Sequence, residues 1–426
     1  MTNQIVGIFA FVEVILILLF PSIGPGNGTA FCTYGMYLLI PVAIYIQQRS
    51  AIFNQYDIVG IKYMRVLVRF LLMLIIGALF SLLFSNVCNN DVHAIFANIM
   101  FVLYAYVFYV FACVSEIRKF LNFAILLSAL ILAIYSIYSY ITASNIYTDY
   151  FDLYFRDNYS TQDSSTNDFY ETRGLSYRVY GNVNNPVFFS GQLMLLQGYC
   201  TYLYLKDNID DKRRKAIISL IVLLVIGNIF TGSKSGILPS IAFLYYMLFK
   251  RYGIGKSIFI SMGSILIIAV AVMPLLDGLF NINLARFIYA LNPFNENTGG
   301  STTSGRMTEY LYLSEFVGSD FLFGRGIGWC RAYTIIKGIH PVLHTFESLI
   351  MSSFVEGGLW GLLFVYPIYM YGLYKLHRNH IVGLGYRLFI FGYYFFILVS
   401  GIGMTKFFYI GLGLIINDKR SDKKNE

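Results

Sequence analysis

The chain has 426 residues, of which 57% are hydrophobic and only 13% are charged. A soluble domain carries about 25% charged residues, and the mean hydropathy here is +0.62, so the composition excludes an ordinary water-soluble domain. The net charge of +8 would suit a nucleic-acid-binding protein, but its distribution along the chain indicates a membrane protein instead.

Long apolar runs recur along almost the whole chain, and each is continuous rather than alternating. About 20 such residues form a helix that crosses a bilayer, and only helices or closed barrels satisfy their backbone there. The runs therefore predict an all-α fold, a polytopic transmembrane bundle of about 12 spans that forms one integral membrane domain over residues 1–426. The predicted spans are residues 4–20, 31–46, 68–87, 95–114, 120–142, 186–205, 216–231, 237–249, 258–276, 347–374, 388–403 and 405–416.

Lysines and arginines concentrate in one set of short connections, for example DKRRK at residues 211–215, and in the tail after residue 416. Short cytoplasmic loops of membrane proteins carry such an excess. Both termini are therefore predicted to be cytoplasmic. The basic surplus is a topology signal and gives no reason to expect a nucleic-acid partner.

Two connections on the opposite side are long, residues 143–185 and residues 277–346. Most connections have about 4–6 residues, so these two extracytoplasmic loops are predicted to be functional. Their basic residues are mostly arginines, whose rigid fork of donors matches phosphate and carboxylate groups. The loops therefore favour an anionic ligand. The alternative is that single arginines pair with nearby acidic residues and hold the loops in place.

The second loop contains a predicted amphipathic helix that starts after an N-cap at Ser304 and stops at Gly318. Arg306 lies in its first turn, where a cation opposes the helix dipole at a cost of roughly 0.3–1 kcal/mol. That placement favours an anion bound at the helix N-terminus, with a solvated arginine near Glu309 as the alternative. The predicted apolar face comprises Met307, Tyr310, Leu311 and Val317.

Two further cations lie close to predicted span ends. Lys234 belongs to TGSKSG at residues 231–236, which does not fit a nucleotide-binding P-loop but surrounds the lysine with hydroxyls and glycines. Arg178 precedes the span that begins at Pro186, near the level of the lipid headgroups. Both are predicted to bind an anion, and the alternative for Lys234 is an ordinary turn whose lysine reaches back to water.

His344 precedes the tenth predicted span, and Glu347 is three residues further along. A neutral imidazole can accept a proton near physiological pH, and Glu347 could orient the ring on a helix. The alternative is a polar cap at the helix start. Arg325 lies in GRGIG at residues 324–328, which lacks the context of a dinucleotide site, so its glycines are predicted to allow tight turns or close backbone approach.

No metal site or cofactor is predicted, because the outer side has no pair of acidic residues and the five cysteines have no metal-binding spacing. Cys88 and Cys330 could form a disulfide. Packing as small, polarizable side chains is the favoured interpretation of all five cysteines.

Several short motifs resemble those of the O-antigen polymerase/ligase superfamily of bacterial inner-membrane glycosyltransferases, whose polymerase branch is called Wzy. The similarity covers about residues 178 to 364, and the chain departs from the family where Lys234 replaces a common arginine. Thr345 after His344, in place of the asparagine that ligases tend to have, favours the polymerase branch. The motifs are GNVNNPVFFSG (181–191), TGSKSG (231–236), SGRxxxY (304–310), LFGxGxG (322–328), His344 and EGGxxGLL (356–363).

The resemblance implies a glycan donor carried on a polyprenyl pyrophosphate and a reaction at the periplasmic face of the bacterial inner membrane. It implies no cofactor, with the lipid bilayer and the lipid-linked glycan as partners and a chain-length regulator protein as a further one. The expected site combines His344 as base, Arg306 as a catalytic cation and Glu347 beside the histidine. Arg178, Lys234 and, secondarily, Arg325 are expected to bind the pyrophosphate or the glycan.

Two alternatives stay open at this point. A ligase of the same superfamily would move the finished glycan to a different acceptor. A flippase of lipid-linked sugars would also suit about 12 spans, but such transporters usually show paired repeats around a site at the membrane midplane. The sequence shows no such repeat, and its charged residues outside the cytoplasm cluster at the outer face.

Overall fold

The structure is a computed structural model. It describes residues 2–21, 31–49, 58–85, 88, 90–147, 172–173, 176–183, 185–206, 210–267, 303–336, 346, 348–376, 383–401 and 405–416. In these ranges the chain is helical apart from turns and one antiparallel pair of two-residue strands, β1 (Thr172–Arg173) and β2 (Ser176–Tyr177). The helices are α1 (Thr2–Leu19), α2 (Phe31–Arg49), α3 (Ile58–Phe84), α4 (Val92–Ala112), α5 (Ser115–Thr142), α6 (Pro186–Tyr204), α7 (Asp211–Phe230), α8 (Lys234–Ile267), α9 (Thr303–Val317), α10 (Trp329–Ile336), α11 (Leu349–Leu359), α12 (Tyr366–Lys375), α13 (Gly383–Ser400) and α14 (Thr405–Ile416).

The all-α prediction is confirmed for the described residues, and a helix covers all or part of every predicted span. Within the described ranges, four helical stretches are long and apolar enough to cross a membrane, namely Gly60–Phe84, Val92–Ala112, Ser115–Thr142 and Leu349–Lys375. The chain therefore has the helices of a membrane protein. The number of about 12 spans stays a prediction.

One helix joins two predicted spans. Helix α8 runs through the predicted eighth span and enters the predicted ninth as far as Ile267, and it contains a break at Gly253, where φ is 78° and ψ is 172°. Only glycine adopts this backbone conformation readily. The break falls within the basic connection that was predicted between the two spans, so it is the turn of that connection.

Contacts within the chain define two compact units. The first unit comprises residues 1–10, 36–120 and 303–426, and the second comprises residues 11–35 and 121–302. Each unit has its own buried core, so each can be described by itself.

The second unit is built around α6, which is buried on almost all sides. A helix that is apolar all round is expected at the centre of a bundle, and α6 packs against α7 and α8. Its start is set by the Asn185 side chain, which accepts hydrogen bonds from Val187 N and Phe188 N, and by Pro186 at the first helical position. The predicted start at Pro186 is confirmed.

The first unit contains two close helix pairs. Helix α14 lies against α4, where a Cβ atom on Gly413 would be 2.9 Å from the Tyr109 nitrogen, so the glycine permits the close approach. Helix α3 lies along α11 and α12, with the rings of Phe70 and Tyr369 stacked at 4.2 Å. Helices α3, α4 and α11 contact the segment of the second long loop described below.

Candidate functional site

The end of the first long loop contacts the TGSKSG segment. The buried Arg178 donates a hydrogen bond from Nε to the Thr231 carbonyl oxygen at 2.9 Å, and Val179 N donates to the Phe230 carbonyl at 3.2 Å. Both carbonyls end α7, where a cation is favourable because the helix dipole is negative there. Two predicted anion-binding segments are therefore adjacent, and Arg178 lies beside the turn that leads to Lys234.

Buried amides fix the position of the Arg178 segment. A 3-10 turn at Gly181–Val183 follows the arginine, and Asn145 Nδ2 donates to the Gly181 carbonyl at 3.1 Å. Asn182 Nδ2 donates to the Leu18 carbonyl at 2.6 Å. Since these side chains are buried, their hydrogen bonds hold the loop end to two neighbouring helix ends.

Lys234 is the first residue of α8 and is half-buried. The preceding Gly232 has φ of 61°, which makes the tight turn between α7 and α8. The hydroxyls of Ser233 and Ser235 lie 3.0 Å apart beside the lysine, and Thr231 Oγ1 accepts a hydrogen bond from Ser233 N at 3.3 Å. The segment thus combines a cation, hydroxyls and a helix N-terminus, which together suit an anion.

A buried polar network that sequence reasoning missed lies next to this turn. Asn228 accepts a hydrogen bond from Ser190 Oγ at 2.5 Å and donates to Ser240 Oγ at 2.6 Å and to the Gly236 carbonyl at 3.2 Å. Gln197 Nε2 donates to the Ser240 carbonyl at 2.8 Å. The network ties α6, α7 and α8 together below the cation-bearing turn, and amide side chains inside apolar runs were its only sequence signal.

Helix α9 confirms the predicted helix of the second loop. It ends at Val317, and the following Gly318 has φ of 52°, as expected for a glycine stop. Its start was predicted wrongly, because Ser304 lies inside the first turn rather than at the N-cap. Arg306 lies in the first turn as predicted, although its side chain falls outside the part of the chain that the structure describes.

The buried face of α9 differs from the prediction at one position. Leu311 is 74% exposed, whereas Leu313, Phe316 and Val317 are buried. Leu313 and Leu311 are two residues apart, about 200° around a helix, so both cannot face the same core. The Tyr310 hydroxyl lies 3.1 Å from Ser348 Oγ, which links α9 to the start of α11.

Aromatic rings join α9 to α10. Phe316 lies edge-on to Tyr333 at 5.2 Å and to Phe346 at 5.4 Å, and Trp329 stacks on Tyr333 at 4.9 Å. Edge-to-face and stacked pairs add roughly 0.5–1.5 kcal/mol beyond the burial of their area. Helix α9 is therefore packed on the rest of the first unit by an aromatic cluster, not carried as an isolated surface helix.

Arg325 has an acidic neighbour of its own. Its Nε lies 3.6 Å from Asp320 Oδ2, and its guanidinium lies 5.1 Å from the ring centre of Trp329. The Asp320 side chain is only 3% exposed, so this is a shielded pair. Arg325 thus matches the alternative that an outer arginine pairs with an acidic residue to hold a loop.

The predicted turn-forming role of the GRGIG glycines is confirmed. Gly324, Gly326 and Gly328 have φ of 68°, 102° and 81°. The segment from Phe321 to Gly328 lies against a break in the span at Gly358, where φ is 59° and ψ is −152°. The two stretches of backbone are joined by hydrogen bonds in both directions.

Glu356 caps α10. Its Oε1 accepts a hydrogen bond from Cys330 N at 3.2 Å, in the first turn of that helix. A carboxylate is favourable at a helix N-terminus, since the backbone N–H groups there lack helical partners. This carboxylate inside a membrane-type helix therefore has a structural partner.

The predicted site residues fall into separate groups. Arg178 and Lys234 belong to the second unit, Arg306 and Arg325 belong to the first, and His344 and Glu347 lie outside the described residues. All five cysteines are free, including Cys88 and Cys330. Among the residues that the structure describes, no three His, Cys, Asp or Glu side chains are grouped so that they could hold a metal ion.

The similarity to the polymerase/ligase superfamily rests on short motifs and their order along the chain. Their geometry, above all the contact between the loop end at Arg178 and the turn before Lys234, is a separate ground for a functional proposal. No protein-family model matches this chain, and no curated protein matches it.

Proposed function

We propose that this protein is a polysaccharide polymerase of the bacterial cytoplasmic membrane. It transfers a growing glycan from polyprenyl pyrophosphate to the end of a new lipid-linked repeat unit at the periplasmic face. The product is an O-antigen or a capsular or exopolysaccharide. The main support is the contact between Arg178 Nε and the Thr231 carbonyl, which unites two cation-bearing segments that are far apart in the sequence.

The proposed chemistry uses the energy of the bond between the sugar and the pyrophosphate, since no ATP is present outside the cytoplasm. The bond from the anomeric carbon to the pyrophosphate oxygen breaks, and its electron pair leaves with the diphosphate. The acceptor hydroxyl forms the new bond to the anomeric carbon and gives its proton to the base, His344, which Glu347 orients. Oriented cations stabilise the charge that grows on the departing diphosphate.

Arg178 and Lys234 are the proposed cations of the second unit. Lys234 begins a helix, so backbone N–H groups add to its charge where an anion approaches. Arg306 is the fourth residue of α9, so it also lies in the first turn of a helix. Arg325 is expected to contribute least to ligand binding, because Asp320 already neutralises it.

The proposal is tested by polymer formation in proteoliposomes that contain a synthetic lipid-linked repeat unit. Arg178→Gln is expected to lower the rate by about 100-fold or more, the effect of removing one preorganised donor from a developing negative charge. Arg178→Lys keeps the charge and loses the guanidinium fork, so an intermediate rate is expected.

Arg214→Gln is the matched control. Arg214 lies at the opposite end of α7 and pairs with Asp211 at 3.8 Å, so its loss removes one charge without touching the proposed site. A wild-type protein that joins no repeat units refutes the polymerase. Transfer to a different acceptor indicates a ligase, and movement of the lipid-linked unit across the bilayer without bond formation indicates a flippase.

A further inference from the structure

One membrane-type helix of the first unit is broken, and a loop fills the break. Backbone helicity is interrupted at Gly358, and a π-helical stretch follows at Trp360–Val365. Leu359 N donates to the Phe321 carbonyl at 2.8 Å, and Trp360 N donates to the Leu322 carbonyl at 3.0 Å. The backbone groups released by the break therefore find partners in the loop before α10.

The loop in turn depends on the helix for its own partners. Arg325 N donates to the Val355 carbonyl and Gly326 N donates to the Glu356 carbonyl, both at 2.9 Å. The interaction is reciprocal, as in a small sheet formed between a loop and an unwound helix. These hydrogen bonds hold the loop beside residues 355–360, which lie well inside the span that begins at α11.

The depth of the loop can be estimated from its position along the helix. Gly358 lies nine residues after Leu349, which is about 14 Å along a helix that rises 1.5 Å per residue. Helix α3 gives an independent value, because Trp360 Nε1 donates to the Met73 carbonyl at 3.1 Å. Met73 lies eleven residues before Phe84, the end of α3, and Trp360 lies eleven residues after Leu349, so both distances are about 17 Å.

The end of α3 shows where the apolar boundary must lie. Leu82, Leu83 and Phe84 are between 63% and 71% exposed, so lipid is the environment that suits them. The Phe323 carbonyl accepts a hydrogen bond from Ser81 Oγ, and the Phe323 ring lies 4.8 Å from that of Phe80. The loop therefore reaches below the outermost apolar residues of α3.

Two large apolar side chains of the loop have no core to enter. Phe321 is 47% exposed and Leu322 is 50% exposed, directly at the residues whose carbonyls pair with the broken helix. Exposure of such side chains to water costs roughly 25 cal/mol per Å² of apolar surface. Exposure to acyl chains carries no such cost. The exposed apolar residues at the end of α3 suit the same lipid environment.

Several polar groups of the loop have partners within the protein. Gly324 N donates to the Asp320 carbonyl at 2.7 Å, and Ile327 N donates to Asn90 Oδ1 at 2.9 Å. The Asp320–Arg325 pair neutralises the charges of the loop. Irregular backbone at membrane depth is tolerated only when its groups are satisfied and protected by protein, and charged side chains there are paired.

We propose that residues 320–328 form a re-entrant loop that enters the outer half of the bilayer between α3 and α11, with Phe321 and Leu322 against lipid acyl chains. The loop is thus part of the membrane-embedded body of the first unit and not a periplasmic connection. The partner of this surface is the hydrocarbon of the lipids. This inference holds whether or not the protein is a polymerase.

Depth-dependent quenching of tryptophan fluorescence tests the proposal. Leu322→Trp and Phe321→Trp are each introduced into the full chain, which has only two tryptophans of its own, and the emission added by the new residue is measured in proteoliposomes. Lipids with bromine on their acyl chains are expected to remove most of the added emission, and aqueous iodide to leave it unchanged. The two variants are read separately, so one that fails to fold leaves the other informative.

Leu311→Trp on α9 is the matched control, since Leu311 is also a large exposed apolar residue of the second loop but lies outside the proposed re-entrant segment. Its emission is expected to be quenched by iodide and spared by the brominated lipids. If iodide quenches the added emission of Leu322→Trp and Phe321→Trp and the brominated lipids spare it, the re-entrant loop is refuted. The experiment uses no glycan, so it can succeed when polymerase assays fail, and the reverse.

Discussion

Gly324 lies against the backbone of Gly358, which in turn lies against the backbone of Leu322, and both glycines have positive φ, 68° and 59°. A Cβ atom on Gly324 would be 2.5 Å from the Gly358 nitrogen, and one on Gly358 would be 2.5 Å from the Leu322 carbonyl carbon. Backbone atoms cannot move aside as a flexible side chain can. Neither position therefore has room for a side chain while the loop and the broken helix stay paired.

Gly358→Ala is expected to destabilise the first unit by about 2–5 kcal/mol. Roughly 1–2 kcal/mol comes from a non-glycine residue at positive φ, and roughly 1–3 kcal/mol comes from overpacking against the Leu322 backbone. Gly324→Ala should cost a similar amount for the same two reasons. Unfolding in mixed detergent micelles measures the loss.

Substitutions at two other glycines distinguish the cost of positive φ from the cost of overpacking. Gly318 has φ of 52° but open space around its Cβ position, so Gly318→Ala should show only the conformational cost of about 1–2 kcal/mol. Gly357 has open space and no positive φ, so Gly357→Ala should be neutral or slightly stabilising. Equal losses of stability in Gly357→Ala and Gly358→Ala would contradict the close contact between Gly358 and the Leu322 backbone.

The sequence predicted those features whose causes are local. Continuous apolar runs predicted the helices, because a helix pairs its own backbone wherever lipid excludes water. Gly318 predicted the end of α9, because the turn after a helix favours a residue that adopts positive φ. The GRGIG glycines likewise predicted tight turns, and all three have positive φ.

The sequence did not predict the features that depend on distant partners. The close approach of Gly324 to Gly358 and the hydrogen bond from Arg178 Nε to the Thr231 carbonyl each involve a backbone group of a distant residue, which leaves no pattern in the sequence. The sequence also could not show which acidic residue pairs with Arg325, since Asp320 is one of several in the outer loops. The roles of His344 and Glu347 stay predictions.

Asn228→Ala is expected to destabilise the second unit, because it removes the partner of Ser190 and Ser240 in a buried network. A buried polar group left without a partner costs about 1–3 kcal/mol in proteins, and interhelical hydrogen bonds in membranes average about 0.6 kcal/mol. The loss should therefore lie between about 1 and 3 kcal/mol. Ser219→Ala on the exposed side of α7 is the matched control and should change stability little.

The predicted orientation can be tested with two native cysteines at opposite ends of α4. Cys88 lies before the helix and Cys113 caps its other end, about 30 Å away, while Cys32, Cys200 and Cys330 are buried. A membrane-impermeant maleimide should label Cys88 in intact cells and Cys113 in inverted vesicles.

The pH dependence of the Cys88 reaction provides a check on its environment. Burial raises the pKa of the Cys88 thiol, so less of the reactive thiolate is present at neutral pH than for a free cysteine. Labelling should therefore be slow at neutral pH and accelerate as the solution becomes more alkaline. Labelling of Cys113 from outside the cell would reverse the predicted topology of α4.

The Asp320–Arg325 pair separates a structural role of the arginine from a ligand-binding role. Asp320→Asn and Arg325→Gln should each lower the free energy of unfolding by about 1–3 kcal/mol, because each leaves one shielded charge or polar group without its partner. The double variant should cost less than the sum of the two, since it leaves no unpaired charge. Arg325→Lys keeps the charge next to Asp320 and should be milder than Arg325→Gln.

Polymer length in the same four variants decides between the roles. If Arg325 serves mainly as the counter-ion of Asp320, polymer formation falls in Arg325→Gln and returns toward the wild-type level in the double variant. We expect this result, because the guanidinium is already engaged by the carboxylate and by the face of Trp329. A double variant that regains stability but makes no polymer would instead assign Arg325 to the ligand.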